Sequence, residues 1–331
     1  MLFLQLNMVA QQQSNFTLFN RNALYHNPGF TGMEGGLNVG TTYREQWTDF
    51  DNAPNVVGLN AHTKIGGKET YKIDHPYSLR IDDVSKYKKL GLDSTYKKYT
   101  NHAIGGYVIY DDYAPFKDLE FAATYAYHLP VSSKLTWSLG ISVGGTNSRF
   151  DADQISVIND LDPTYIAYRN AGNANELYFD MGFGTVLYGK KFYVSYGGDQ
   201  LLPTDRFEGE VGGDGSQVNT HHQLSGGYVL DISNTVELYP SALLMYVDDA
   251  PVSANFLVKT RVRNMFIAGV GYERSEALSA MLGLNLNNIL SLAYAYSYPV
   301  RDLASTNDGT HSINLNIAFN NWANSPAMFM W

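Results

Sequence analysis

Residues 135 to 143 read Leu-Thr-Trp-Ser-Leu-Gly-Ile-Ser-Val: odd positions are large and apolar, even positions small or hydroxylated. Successive strand side chains point to opposite faces, so this stretch is a strand with one bulky greasy face and one small polar face. The same two-residue period recurs along nearly the whole chain. It predicts fourteen strands, at 37–47, 55–65, 102–111, 118–129, 134–146, 177–188, 190–199, 220–230, 234–247, 252–263, 264–273, 277–287, 288–298 and 310–319. Turn chemistry precedes them, around Asn27-Pro28-Gly29, Gly32 and Gly35-Gly36.

The connectors sort by length. Those after strands four, six, eight, ten and twelve are tight, centred on Pro130–Ser133, Gly189, Asp231–Ser233, Arg263-Asn264 and Asn287-Asn288, whereas 147–176 and 200–219 are long. Short turns at one end and longer loops at the other, with an even strand number, are the signature of a bacterial outer-membrane barrel. The expected fold is therefore all-β: a transmembrane antiparallel up-and-down β-barrel of about 14 strands, with the tight turns facing the periplasm. One connector, 66–101, breaks the rule; it is periplasmic by parity and carries Lys68, Lys72, Lys86, Lys88, Lys89, Lys97 and Lys98. It reads as a solvated insertion or as a docking surface for an acidic partner or for lipid headgroups.

Parity assigns the faces. Leu119, Phe121, Ala123, Tyr125 and Tyr127, then Leu278, Ala280, Leu282, Leu284 and Leu286, then Leu290, Leu292, Tyr294, Tyr296 and Tyr298 are expected to face outward. Tyrosines near strand ends fit an interfacial girdle. Ser138, Gly140, Ser142, Gly144, Gly182, Gly184, Ser291, Ala293, Ala295 and Ser297 are expected to face the lumen, together with the charged Arg44, His62, Lys64, Glu120, Asp180, Lys259, Arg261, Arg263 and Glu273. A charge on the lipid face costs roughly 2–4 kcal/mol at midplane, which favours the lumen for all of these. Lys259, Arg261 and Arg263 form a basic ladder on strand ten. A lumen lined by small residues has room, filled either by water or by protein, and residues 14–36 are long enough to fold inside it as a plug.

Composition is consistent with this. The 331 residues are 44% hydrophobic with mean hydropathy −0.23, and no run approaches the roughly 18–20 apolar residues of a spanning helix. Barrels escape hydropathy analysis because half of each strand is polar. There are 25 Tyr and 30 Gly, which suits strands with interfacial aromatics and close backbone approach, and there is no Cys, which excludes disulfides and thiolate metal sites. A net charge of −9 and a pI near 5.3 argue against nucleic acid as a partner.

Catalytic chemistry finds little support. Adjacent residues face opposite sides of a strand, so His221-His222 cannot jointly chelate a metal. Asp151, Asp153, Asp160 and Asp162 lack the spacing of a calcium loop. Asp111-Asp112 lacks an evident partner for acid–base work, and no nucleophile elbow or phosphate loop occurs. No enzyme activity, cofactor or metal is expected.

Several motifs resemble a known family. Asn27-Pro28-Gly29-Phe30-Thr31-Gly32, Tyr43-Arg44-Glu45-Gln46-Trp47, Ala53-Pro54 followed by Leu59-Asn60-Ala61-His62, Gly105-Gly106-Tyr107-Val108-Ile109-Tyr110-Asp111-Asp112, and the closing strand His311–Phe319 stand in the order seen in the PorP/SprF family of the type IX secretion system of Bacteroidetes. The resemblance runs from about residue 15 to 319. It implies a multi-pass β-barrel of the outer membrane that receives or holds the C-terminal domain of a large secreted surface protein such as a gliding adhesin. Other secretion or periplasmic components are further candidate partners, through the Lys-rich 66–101. The alternative is a channel for small solutes or hydrophobic substrates.

The expected organisation is a signal remnant or mature N-terminus over 1–13, the plug or lead-in at 14–36, the barrel over 37–319, and a tail at 320–331. Arg44, Gln46, His62 and Lys64 are expected to meet Asn27 and Pro28 in a lumen network, as a structural or partner-binding site. Tyr165, Tyr168 and Phe207 in the long loops are candidate anchors for a protein partner.

Overall fold

In the computed structural model, residues 16–48, 53–65, 102–132, 134–151, 175–202, 205–206, 216–217, 219–248, 250–274, 276–286, 289–300 and 308–319 are described, and the structural statements below refer to them. The insertion 66–101, the segments 1–13 and 320–331, and the loop residues Tyr165, Tyr168 and Phe207 lie outside them.

The strands are β1 (Leu37–Glu45), β2 (Asn55–Lys64), β3 (His102–Tyr113), β4 (Phe116–Ser132), β5 (Leu135–Phe150), β6 (Asn175–Tyr188), β7 (Phe192–Asp199), β8 (His221–Tyr228, continued by Leu230–Ser233), β9 (Val236–Val247), β10 (Ser253–Val262), β11 (Phe266–Glu273), β12 (Ala277–Asn285), β13 (Leu290–Pro299) and β14 (Thr310–Phe319). Each pairs antiparallel with its neighbours in sequence, and β1 pairs with β14 from Leu37↔Phe319 to Glu45↔His311. The result is a closed barrel of fourteen strands, which leaves no unpaired sheet edge in a solvent that offers no hydrogen bonds. A further two-residue ladder, Asp205–Arg206 with Ser216–Gln217, lies in the β7–β8 connection.

Strand boundaries shift where turns consume residues. The eleventh strand starts at 266 instead of 264 because Arg263 and Asn264 take φ of 51° and 55° and Met265 N–H closes the turn on Val262 O at 3.1 Å. Such left-handed pairs match the twist of a tight hairpin. The mouth where β1 begins and β14 ends, here the near mouth, also carries the turns between β4–β5, β6–β7, β8–β9, β10–β11 and β12–β13. The far mouth is less uniform than the loop pattern predicts. Only Ala114-Pro115 joins β3 to β4, and only residues 274–276 join β11 to β12. There β4 and β5, 17 and 16 residues long, exceed the roughly 9–11 residues that cross a bilayer and end in the charged Lys117, Asp118 and Arg149.

The outside is apolar. Leu282 (67% exposed), Val270 (65%) and Phe179 (60%) stand among continuous Leu, Val, Ile and Phe stripes, and in β5 Trp137, Leu139, Ile141 and Val143 all face out while Ser138, Gly140 and Ser142 face in. An exposed apolar band that runs around a closed barrel marks a surface that meets lipid. Tyrosines rim the band, several joined to histidines: Tyr125 to His102 at 2.7 Å, Tyr294 to His311 at 2.7 Å and Tyr196 to His222 at 3.0 Å. His222 is on the lipid side and His221 buried inward, so the pair faces opposite ways.

Leu282→Arg, in the middle of the lipid-facing stripe of β12, is expected to destabilise the barrel by roughly 2–4 kcal/mol in denaturant unfolding from lipid vesicles. A cost near zero would place this face away from lipid.

Candidate functional site in the lumen

Eight strands can fill their own interior with side chains; larger barrels leave space. In this barrel residues 16–36 occupy that space. Phe16, Leu18, Phe19, Leu24, Tyr25, Phe30 and Met33 are each at most 5% exposed, although regular structure is confined to one helical turn, Ala23–His26, and a 3-10 turn, Pro28–Phe30. The segment is organised by the wall. It rises from the near mouth, turns sharply at Asn27–Thr31, and reaches the far half of the lumen at Thr17, whose hydroxyl donates to Glu273 Oε1 at 2.9 Å and lies 3.0 Å from Ser297 Oγ.

Three apolar clusters fix it. Phe30 and Met33 pack with Val186, Tyr188, Tyr193, Val229 and Tyr239. Leu18 and Phe19 pack with Leu243, Leu257, Ile267 and Met281, and Phe16, Leu24 and Tyr25 with Val56, Tyr107 and Ile109. Burying one such side chain contributes roughly 1.5–3 kcal/mol, so the apolar contacts dominate the seating.

The Asn27–Gly32 corner shows how close the fit is. Gly140 and Gly184 face each other across β5 and β6. A Cβ on Gly140 would lie 2.3 Å from the Pro28 carbonyl carbon, and one on Gly184 would lie 1.8 Å from Asn27 Oδ1. No side chain fits at either position while the corner is seated. Ser138, two residues before Gly140 on β5, donates to Gly29 O at 2.7 Å. Within the corner, Asn27 Oδ1 accepts from Gly29 N–H at 2.7 Å and Thr31 Oγ1 donates to Pro28 O at 2.7 Å. Gly32, at φ 71°, gives its N–H to His62 Nδ1 at 3.0 Å. Tyr188 donates to His128 Nδ1 at 3.0 Å, and His128 Nε2 donates to Thr31 O at 2.8 Å, which sets the imidazole tautomer. These bonds satisfy backbone groups that no regular element pairs.

The expected network is only partly assembled. His62 meets the Asn27–Gly32 segment, and Lys64 lies beside Gly32. Arg44 is elsewhere: its register partner is Val56 whereas that of His62 is Asn38, so the two stand near opposite mouths. Arg44 is 95% buried near the far mouth and donates to Gln46 Oε1 at 2.9 Å. The basic ladder loses a rung. Lys259 faces the lumen at 3% exposure, Arg261 donates to Glu237 Oε2 at 2.6 Å through Nε, and Arg263 sits exposed in the turn after β10, because the strand stops one residue short of it.

Some wall and segment contacts carry no motif. Asn20 donates to Ser241 at 2.8 Å and accepts from Tyr193, Arg21 donates to Ser291 and Asn314 at 3.1 and 3.0 Å, and Tyr25 OH accepts from Asn60 at 3.1 Å. The signal available was the polar triplet Asn20-Arg21-Asn22 inside an apolar run, and the inward parity of His128. A cavity of about 10 Å³ remains between segment and wall, lined in part by Asn20, His26, Ser195, Gln223 and Ser225, with room for about one water. Among the described residues no group of His, Cys, Asp or Glu is arranged to hold a metal ion.

Gly184→Leu is expected to expel the corner from its socket. In planar bilayers it should raise single-channel conductance well above that of the unaltered chain. Equal conductance would mean that the segment does not occupy the lumen.

Solved outer-membrane barrels are similar to the chain at low sequence identity. The CymD monoaromatic hydrocarbon channel matches at 11% identity and TM-score 0.50, over 90% of this chain and 93% of that one. Omp33 of Acinetobacter baumannii matches at 10% identity and TM-score 0.45, over 87% and 100%. The toluene transporter TodX of P. putida matches at 8% and TM-score 0.41, over 86% and 89%. Among curated proteins none matches the chain. The sequence profile described as type IX secretion system membrane protein PorP/SprF matches residues 8–317, nearly the whole chain. With its closed, apolar-faced barrel, the chain is thus an outer-membrane protein that belongs to the PorP/SprF family of the type IX secretion system.

Proposed function

We propose that this barrel holds a large secreted surface protein at the outer membrane by that protein's C-terminal domain, and that it does so with its own lumen closed. The observation that carries the reading is the seated N-terminal segment. A barrel that conducts solutes needs a continuous wet path. Here three apolar clusters and a glycine socket are given over to a segment of the same chain. Chain investment of this kind suits a rigid platform. The near mouth faces the periplasm on this reading, and the partner docks on the far mouth, where β4 and β5 project and the longer connections emerge. Tyr165, Tyr168 and Phe207 are the proposed aromatic anchors, and the Lys-rich 66–101 is the proposed periplasmic contact.

Membership of a secretion family supports a protein cargo over a small solute. The likeness to hydrocarbon channels is one of fold, and a channel would have to move the segment aside before passing anything. No chemistry is proposed for the lumen. Several of its buried polar groups, Ser138, His62 and His128 among them, hold the segment in place.

A tagged copy extracted from outer membranes in mild detergent is expected to bring down one very large secreted protein in stoichiometric amount, and deletion of the gene should strip that protein from the cell surface. Intact surface proteins combined with lost solute uptake would overturn the reading in favour of a channel.

A further inference from the structure

The structure points to a second ligand, which we infer to be a small oxyanion held between Arg21 of the N-terminal segment and Lys259 of the wall. Lys259 is 3% exposed and turned into the lumen, and its Nζ makes no hydrogen bond among the described residues. It lies over the face of Tyr239, 4.7 Å from Nζ to the ring centre. Arg21 uses Nη1 on Ser291 and Asn314, but its Nε and Nη2 are buried and have no partner there. Arg21 follows Asn20, which donates to Ser241 at 2.8 Å, and Ser241 stands two residues along β9 from Tyr239, the register partner of Lys259.

Arg261, two residues along β10, is ion-paired with Glu237. Glu34 is the carboxylate that acts on Arg21, yet no ion pair within contact distance joins them among the described residues, and Glu34 is engaged with Asn316. An ammonium and a guanidinium that bury donors of this kind in one part of the lumen are strongly unfavourable unless an anion compensates them. A guanidinium edge presents paired donors that match the oxygens of a carboxylate or a phosphate, and an ammonium on a flexible stem can adjust to a third oxygen. Arg21 belongs to the segment and Lys259 to the barrel, so a shared oxyanion would staple one to the other. The seating of the segment would then depend on the anion present.

The test is thermal unfolding of the purified full chain in detergent, titrated with inorganic phosphate or acetate against chloride at constant ionic strength. Saturating oxyanion is expected to raise the midpoint by on the order of 5 °C, and the more effective of the two salts identifies the phosphate or the carboxylate as the natural chemistry. Both Lys259→Met and Arg21→Met should abolish that rise, while Lys191→Met, at an exposed turn residue, should keep it. No rise with either salt, or a rise that survives Lys259→Met or Arg21→Met, overturns the proposal. Two variants on separate elements keep the test decisive if one of them fails to fold.

Discussion

A closed sheet of fourteen strands encloses more volume than its inward side chains fill, and that constraint shapes the rest of the molecule. The wall needs every strand to avoid an open edge in lipid, so the interior cannot be reduced by dropping strands. Filling it falls to a segment with almost no regular structure, whose backbone groups must find partners on the wall. Ser138, His62 and His128 supply them, one each to Gly29 O, Gly32 N–H and Thr31 O. Small residues therefore have a specific use. Gly140 and Gly184 are absent side chains that make a mould for the Asn27–Pro28 peptide.

Much of the barrel was legible because its two environments differ so sharply. Lipid and lumen impose opposite chemistries on alternate residues, and the period survives along most of the wall, breaking at Leu230–Ser233 and at the register shift after Pro130. Fourteen strands and their faces follow from it, and only boundaries move, as where Arg263 and Asn264 leave the end of β10 for a left-handed turn. The smallness of Ser138, Gly140 and Ser142 marks a lumen with room in it, although parity alone leaves open whether water or protein fills that room.

Register was harder to read. Arg44 and His62 share a face and sit on adjacent strands, which suggests a joint site. The β1–β2 connection instead aligns Glu45 with Asn55 and leaves the two near opposite mouths. Same-face parity is set by a period of two; closeness is set by connection length, which the pattern does not encode. The polar partners of the segment were likewise illegible. Asn20, Arg21 and Asn22 follow no period, since their conformation is imposed by Ser241, Ser291 and Asn314 on strands hundreds of residues away.

The seated segment is the claim on which the functional reading rests, and the chain's lack of cysteine offers a direct probe of it. Thr31 of the segment and Thr124 of β4 bring their Oγ1 atoms within 2.9 Å. With Thr31→Cys and Thr124→Cys combined, mild oxidation of the barrel in native membranes should join the two positions, seen as a cross-linked peptide by mass spectrometry. A pair that stays reduced under conditions that oxidise exposed thiols, with both thiols open to a water-borne reagent, would show an unfilled lumen and contradict the account.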